Sequence, residues 1–486
     1  MDFVYAMMAV GRWPEHHALV VVGALLLSAL VVGGVAVGRW RRAAHRPGAH
    51  GSARWASLRE VRQAGLWGPG GVVLGRIGRH VLRSNDESHI LLLGATRSGK
   101  GVGCVIPTLL TWRESVLILD PKDGELYDVT STRRQEIGPV VAFTPCRGPQ
   151  ARINVLDTVR LGTPHDVGDA QLIAQSLVAP AKLTGEGATA VHFRELASLL
   201  LTAGILHVSL AFPRRSLAGV WDFLTQQHTS LAAALQTMAR TAHPAIHSMV
   251  RAVQNISGDR ELSGVWTTAI RPLVLYSDPL VAASTDTSTF PLEALQHHAA
   301  PVSLYLVAPS PMQLDRLHPL YRVILDVAWT RLMERKVRTW TWRLLNCCDE
   351  LPWYGYSRVI DKGIATMAGY GIKSLLVTQD FDALYDVYGQ HSAIFGNCAV
   401  QVYQTVANDL TAKRISENLL GRSTVESPGT SRSRWGGRTT DSVHQVSRPL
   451  LTTEEVLGLS AHEEIVHVVG ARPIRARKLD YRRDRC

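Results

Sequence analysis

The chain has little cysteine, and none of it is placed to hold a metal. The thiols at Cys104, Cys146, Cys347, Cys348, Cys398 and Cys486 form no CxxC pair and no His/Cys cluster with zinc spacing. They read as reduced, mostly buried thiols of a cytoplasmic domain. Acidic and low-complexity dominance are also absent, and a hydrophobic content of 46% argues against a largely disordered protein. A single small core is excluded by length, because 486 residues suit two or three domains. Charge is uneven in sign. The formal net charge of +11 favours a polyanionic partner or a negatively charged membrane surface, although much of it sits at the two ends of the chain.

One residue is missing from the most informative motif. The stretch His89 to Cys104, HILLLGATRSGKGVGC, runs an apolar strand into a glycine-bounded loop with the GxxxxGK spacing of a phosphate-binding P-loop. Gly94 and Gly99 let the backbone wrap a phosphate, and Ala95, Thr96, Arg97, Ser98, Gly101 and Val102 complete the predicted nucleotide-binding segment. Lys100 reaches the outer phosphates, and the helix that follows adds its positive end. The usual final Ser or Thr, whose hydroxyl touches Mg²⁺, is Gly101. Magnesium must then be held mainly from elsewhere, or the site is impaired.

Hydrolysis needs a magnesium-holding carboxylate and a group that polarises water. Asp120 closes the strand VLILD but is followed by Pro121 and Lys122, whereas Asp349 closes LLNCCD and is followed directly by Glu350. The second pair supplies both groups, with Asp349 holding Mg²⁺ through water and Glu350 as general base. A strand-end Asp-Glu pair also caps helices, so the assignment leans on the P-loop. Gln379, ending SLLVTQ, is expected beside the site, where an amide can sense the γ-phosphate.

Four segments follow from patterning. Residues 1–50 hold a membrane anchor, an uncharged run at 18–38 of the roughly 20 residues a spanning helix needs. Arg39, Arg41, Arg42 and Arg46 follow it, which places the C-terminal side in the cytoplasm. Residues 51–164 form the first part of a nucleotide-binding domain with parallel strands, including Ser115–Leu119 and Pro139–Phe143, after a small β-rich lead-in. Helical spacing dominates 165–290, an inserted all-α domain. Residues 291–486 return to strands at Val302–Val307, Leu344–Cys348, Ser374–Thr378 and Glu464–Val469. They also carry a mobile surface loop at 423–446 and a basic tail from Arg472 to Arg485.

Several motifs in one order carry a resemblance. GATRSGKGVGCVIPTLL, VLILDPKDGELYDVTSTRR, CCDELP, AGYGIKSLLVTQDFDALYDVYG, FGNCAVQVYQTVANDLTAKRIS and RPLLTTEEVLGLSAHEEIVHVVGARPIRARKLDY together resemble the TraG/TraD family of type IV secretion coupling proteins, from about Arg54 to Tyr481. In that family a glycine after the P-loop lysine is a frequent variant. The resemblance implies a RecA-like, inner-membrane ATPase with an inserted all-α domain that assembles as a homo-hexamer. It would use ATP and Mg²⁺ to deliver relaxase-bound single-stranded DNA or effector proteins to a secretion channel. Contact with DNA would be without sequence preference, through a basic lumen. Arg358 and Arg414 are the position-based candidates for an arginine supplied across subunits. Many relatives carry two membrane helices and a C-terminal cargo-binding extension. One helix is evident here, and cargo selection is expected to fall to the helical insert or an adaptor. Two other readings stand beside this one: a nucleotide-binding recruitment platform without hydrolysis, and a DNA pump of the FtsK or HerA type.

Overall fold

Short aliphatic runs build a sheet whose centre is buried at every residue. In chain order the strands are β1 (Val72–Ile77), β2 (His80–Ser84), β3 (Ile90–Leu93), β4 (Ser115–Asp120), β5 (Val140–Phe143), β6 (Ser303–Val307), β7 (Leu344–Cys348), β8 (Ile372–Thr378), β9 (Val400–Tyr403), β10 (Arg422–Arg432), β11 (Thr439–Pro449), β12 (Glu463–Val468) and β13 (Ile474–Arg477). Strands β3, β4, β6, β7 and β8 carry no exposed position, the signature of a parallel sheet covered on both faces. The computed structural model describes residues 51–484 apart from 148–150, 184, 186, 227–229, 257, 335–338 and 433–438. The predicted membrane helix at 18–38 lies outside the described residues.

Eleven strands join in the order β2-β1-β13-β12-β9-β3-β8-β7-β4-β6-β5. From β9 to β5 every pairing is parallel, while β12, β13, β1 and β2 run antiparallel on one side. The α/β class is as expected, but the sheet is mixed rather than parallel. Connection length dictates two of these pairings: β1 and β2 are joined through Gly78 and Arg79, and β12 and β13 through residues 469–473, too short for the crossover a parallel pair requires. The β-rich lead-in and part of the basic tail are thus strands on the antiparallel side of this one sheet. Register aligns the carboxyl ends that matter: Leu93 pairs with Thr378, and Cys348 lies between Leu119 and Leu376.

Between β5 and β6 the described residues are helical, with α-helices including Asp166–Val178, Ala188–Ala211, Leu217–Thr225, Leu231–Met238, Pro244–Gln254 and Asp259–Ile270. The helix Ala188–Ala211 is long and apolar enough to cross a membrane by composition, yet its half from Ala197 to Ser209 is mostly buried against neighbouring helices. The expected mobile loop at 423–446 is different in structure. Strands β10 and β11 pair antiparallel from Arg422↔Pro449 to Arg432↔Thr439. Its Ser and Gly content reads as a loop, but Thr and Val recur along both halves, and these residues favour paired strands. With residues 51–53 this ribbon forms its own unit, held by the Ala53 amide on the Arg422 carbonyl at 3.0 Å.

Arg134 pins the helix Glu125–Gln135 to the start of β4 and β6. It is fully buried, donates from Nε to Ser303 Oγ at 2.8 Å, and also donates to the carbonyls of Trp112 and Glu114. Arg134→Ala is expected to cost about 3 kcal/mol, because several buried acceptors lose their donor at once. A lowered urea midpoint at unchanged slope is the check.

Candidate functional site

The loop Gly94–Lys100 leaves β3 and enters a helix that opens with a π-helical turn, Gly101–Val105, before the α-helix Ile106–Thr111. Arg97 (φ 63°) and Gly99 (φ 99°) both take the left-handed conformation, which folds the loop back over its own strand. Gly94 is needed for a different reason. A Cβ there would lie 2.5 Å from Ser98 Oγ and 3.0 Å from the Gln404 side chain. Gly94→Ala is therefore expected to push the loop outward and weaken nucleotide binding about tenfold, measured by fluorescent-nucleotide titration.

Lys100 is buried under the loop. Its Nζ donates to the carbonyl oxygens of Gly94 at 2.6 Å and Ala95 at 3.3 Å, and lies 3.6 Å from Glu350 Oε1. Asp349 and Glu350 follow β7 and are each 4% exposed. Glu350 sits at φ 52°, a left-handed backbone that non-glycine residues rarely hold, and such strain clusters at functional positions. Burial pushes its carboxyl above the usual range, Lys100 pulls it back, and a hydrogen bond from Gln379 helps to lower it. Gln379 also accepts from Thr96 Oγ1 at 3.4 Å, so one amide bridges the loop and the carboxylate. Burial likewise lowers the Lys100 ammonium, opposed by Glu350 and Asp349.

Lys122 was not expected here. Its Nζ lies 3.2 Å from Asp349 Oδ2 and 4.0 Å from Glu350 Oε1. The ammonium occupies the position between two carboxylates where a cation belongs. Asp120, set aside on sequence, is fully buried behind it. Asp120 Oδ2 accepts from the Tyr127 amide at 2.9 Å, and Oδ1 has no partner among the described residues. Burial raises this carboxyl to about 6. Magnesium takes oxygen ligands and keeps most of its waters. The Asp349 carboxylate fits such an ion, and Gly101 contributes no oxygen side chain.

The two candidate arginines differ. The Arg414 guanidinium lies over Phe381 at 4.3 Å, with Phe395 at 5.3 Å and Tyr385 at 5.4 Å, so it is engaged within its own chain. Arg358 is exposed at the start of the helix Arg358–Met367. On the other side of the loop, Lys478 donates to the Ser98 carbonyl at 2.8 Å and to Thr405 Oγ1 at 2.9 Å. Gln404 donates to the buried Glu464 at 3.0 Å, whose carboxyl burial raises to about 8. Sequence reasoning missed Lys122, Gln404 and Lys478. Each lies in a segment carrying the resemblance, but only pairing in the sheet brings them to the loop. The described cysteines are free: Cys104, Cys347, Cys348 and Cys398 are buried and Cys146 is half-buried. Among the described residues no cluster of three His, Cys, Asp or Glu forms a metal site.

Residues 54–485 match the family described as type IV secretory system conjugative DNA transfer. Conjugal transfer protein TraG of Escherichia coli is 33% identical over 466 residues, spanning 84% of this chain and 71% of that protein. Protein VirD4 of Agrobacterium fabrum is 32% identical over 463 residues, spanning 90% of this chain and 66% of that protein. Among solved structures, the bacterial conjugative coupling protein TrwBdeltaN70 shares the fold with a TM-score of 0.68 over 88% of this chain and 92% of that one, at 18% identity. TrwB has also been solved in complex with the ATP analogue ADPNP, and with ADP and Mg²⁺. Matched over nearly all of its described length, the chain belongs to the type IV secretion coupling proteins of the TraG/VirD4 family.

Proposed function

We propose that this coupling protein is a P-loop ATPase, anchored in the bacterial inner membrane by the helix at 18–38, that uses ATP and Mg²⁺ to deliver substrate to a secretion channel. The observation that carries this is convergence: Lys100, Asp349, Glu350 and Gln379 come from three strand ends and meet at one loop. TrwB, which shares the fold, binds ADPNP and ADP with Mg²⁺. Residues 165–290 act as an inserted all-α domain, the working form is a homo-hexamer, and the cargo is relaxase-bound single-stranded DNA or an effector protein. Of the candidate arginines, exposure favours Arg358 over Arg414 as the residue offered to a neighbouring subunit.

The chemistry follows from the side chains. Lys100 meets the outer phosphates, Asp349 would hold magnesium, which would supply charge neutralisation there, and Glu350 takes a proton from the attacking water while Gln379 orients it. Lys122 puts a competing positive charge 3.2 Å from the Asp349 carboxylate. Removing it as Lys122→Met is expected to lower the Mg²⁺ concentration for half-maximal turnover by about threefold or more, since a competing cation is lost. A magnesium titration of ATPase activity checks this. The non-hydrolysing platform is the second reading, favoured by Gly101 and by Lys122 occupying the cation position. Full-length protein in detergent separates the two: ATP turnover that rises with single-stranded DNA supports the motor, and tight ATP binding without turnover supports the platform.

A further inference from the structure

Gln404, the residue after β9, packs against the phosphate loop with its side chain fully buried. Its backbone N–H donates to the Leu93 carbonyl at 2.8 Å, and the Ala95 N–H donates to the Thr405 carbonyl at 2.8 Å, so the end of β9 and the start of the loop are joined in both directions. Three glycines leave room for this one side chain. A Cβ on Gly94 would lie 3.0 Å from Gln404 Cβ, one on Gly99 4.0 Å from its Oε1, and one on Gly103 3.6 Å from its Nε2. The amide therefore sits against the start of the loop, its end and the first turn of the following helix at once.

The amide is itself anchored. Gln404 Nε2 donates to Glu464 Oε2 at 3.0 Å, and Glu464 is 1% exposed on β12, the strand beside β9. Strand β1 bulges between Val73 and Gly75 next to that carboxyl, and Gly75 (φ 130°) lies so close that a Cβ there would collide with Glu464 Oε1. Burial raises the Glu464 carboxyl to about 8, opposed by the Gln404 hydrogen bond and the Lys478 ammonium, so at neutral pH it is mainly an uncharged acid. An acid and an amide can share a dry site that would expel a lone carboxylate. Three buried oxygens, Ser98 Oγ, Gln404 Oε1 and Glu464 Oε1, have no partner among the described residues. Such atoms cost stability, so an apolar pair would serve the sheet alone better. What the amide adds is a fixed length and direction against the loop.

We propose that Gln404 is a positioning residue of the phosphate loop, held in place by Glu464, and that this pair sets the loop geometry on which affinity for a triphosphate depends. It acts through the loop backbone and touches no phosphate itself. The proposal rests on Gly94–Lys100 being a triphosphate cradle, and calorimetric titration of the full chain with ATP and with inorganic tripolyphosphate keeps the two claims apart. Gln404→Met, which keeps the side chain's length and loses its hydrogen bond, is expected to weaken both ligands by the same factor of about ten. Glu464→Met should do the same, and Glu464→Gln should recover most of that loss, since an amide then replaces a neutral acid. The double Met variant should lose no more than either single one, because both remove one contact. Titrations run well below each variant's melting midpoint, where lost stability alone leaves affinity unmoved. If Gln404→Met does not fold, Gln404→Asn, which withdraws the amide from Glu464, carries the same expectation. Wild-type affinity in the folded Gln404 and Glu464 variants overturns the positioning role, as do losses that add in the double variant. A wild type that binds neither ligand instead removes the cradle on which the proposal rests.

Discussion

Glu350→Gln is expected to cut ATP turnover by about 10²–10⁴-fold while ATP still binds, the range a positioned general base contributes. The amide keeps the side chain's size and can still face Lys100 and Gln379, so the loss falls on proton transfer. Glu350 is well placed for that task because it is nearly enclosed, and burial raises its carboxyl towards the pH at which a base works best. The sign gives a second check. A base with a raised pKa is protonated, and idle, up to a higher pH than an ordinary glutamate. The acid limb of the kcat/KM profile should therefore lie above the ordinary glutamate value and vanish in Glu350→Gln. A Glu350→Gln enzyme with wild-type turnover would remove Glu350 from the chemistry, whatever the P-loop binds.

Lys100→Ala is expected to lower kcat/KM by about 10²–10³-fold or more, comparable to removing one preorganised stabiliser of transition-state charge. Two effects act together. The outer phosphates lose their cation, and Glu350 loses the ammonium 3.6 Å away that holds its carboxyl down. The Glu350 pKa should then rise further, so residual activity in Lys100→Ala should recover more at alkaline pH than the wild type does. Unlike Glu350→Gln, this variant should also bind ATP weakly. The two substitutions are thus separable by equilibrium binding, and a shared phenotype in both assays would point to general unfolding.

Much of this site was legible because its parts lie at strand ends. An apolar run such as Ile90–Leu93 or Leu344–Cys348 announces a buried strand, and the polar residues immediately after it must emerge at the sheet's carboxyl edge. That logic reached Lys100, Asp349, Glu350 and Gln379. It failed for groups whose position depends on partners distant in sequence. Lys122 reaches the carboxylates only because β4 pairs with β7, and Lys478 reaches Ser98 only because β12 and β13 fold back beside β9. The antiparallel side of the sheet was hidden for a related reason. Strand direction leaves no trace in composition, and the basic residues of β13 read as a solvated tail. The ribbon β10–β11 was hidden by Ser and Gly, which signal loops unless pairing overrides them.

The most direct test is phosphate release from the full-length protein with ATP, Mg²⁺ and single-stranded DNA, run beside Glu350→Gln with ATP binding measured on both. DNA-stimulated release by the wild type, lost in the variant while ATP binding persists, is the expected result. No release from a wild type that binds ATP, or equal release from both proteins, would contradict hydrolysis at the site formed by Lys100, Asp349 and Glu350.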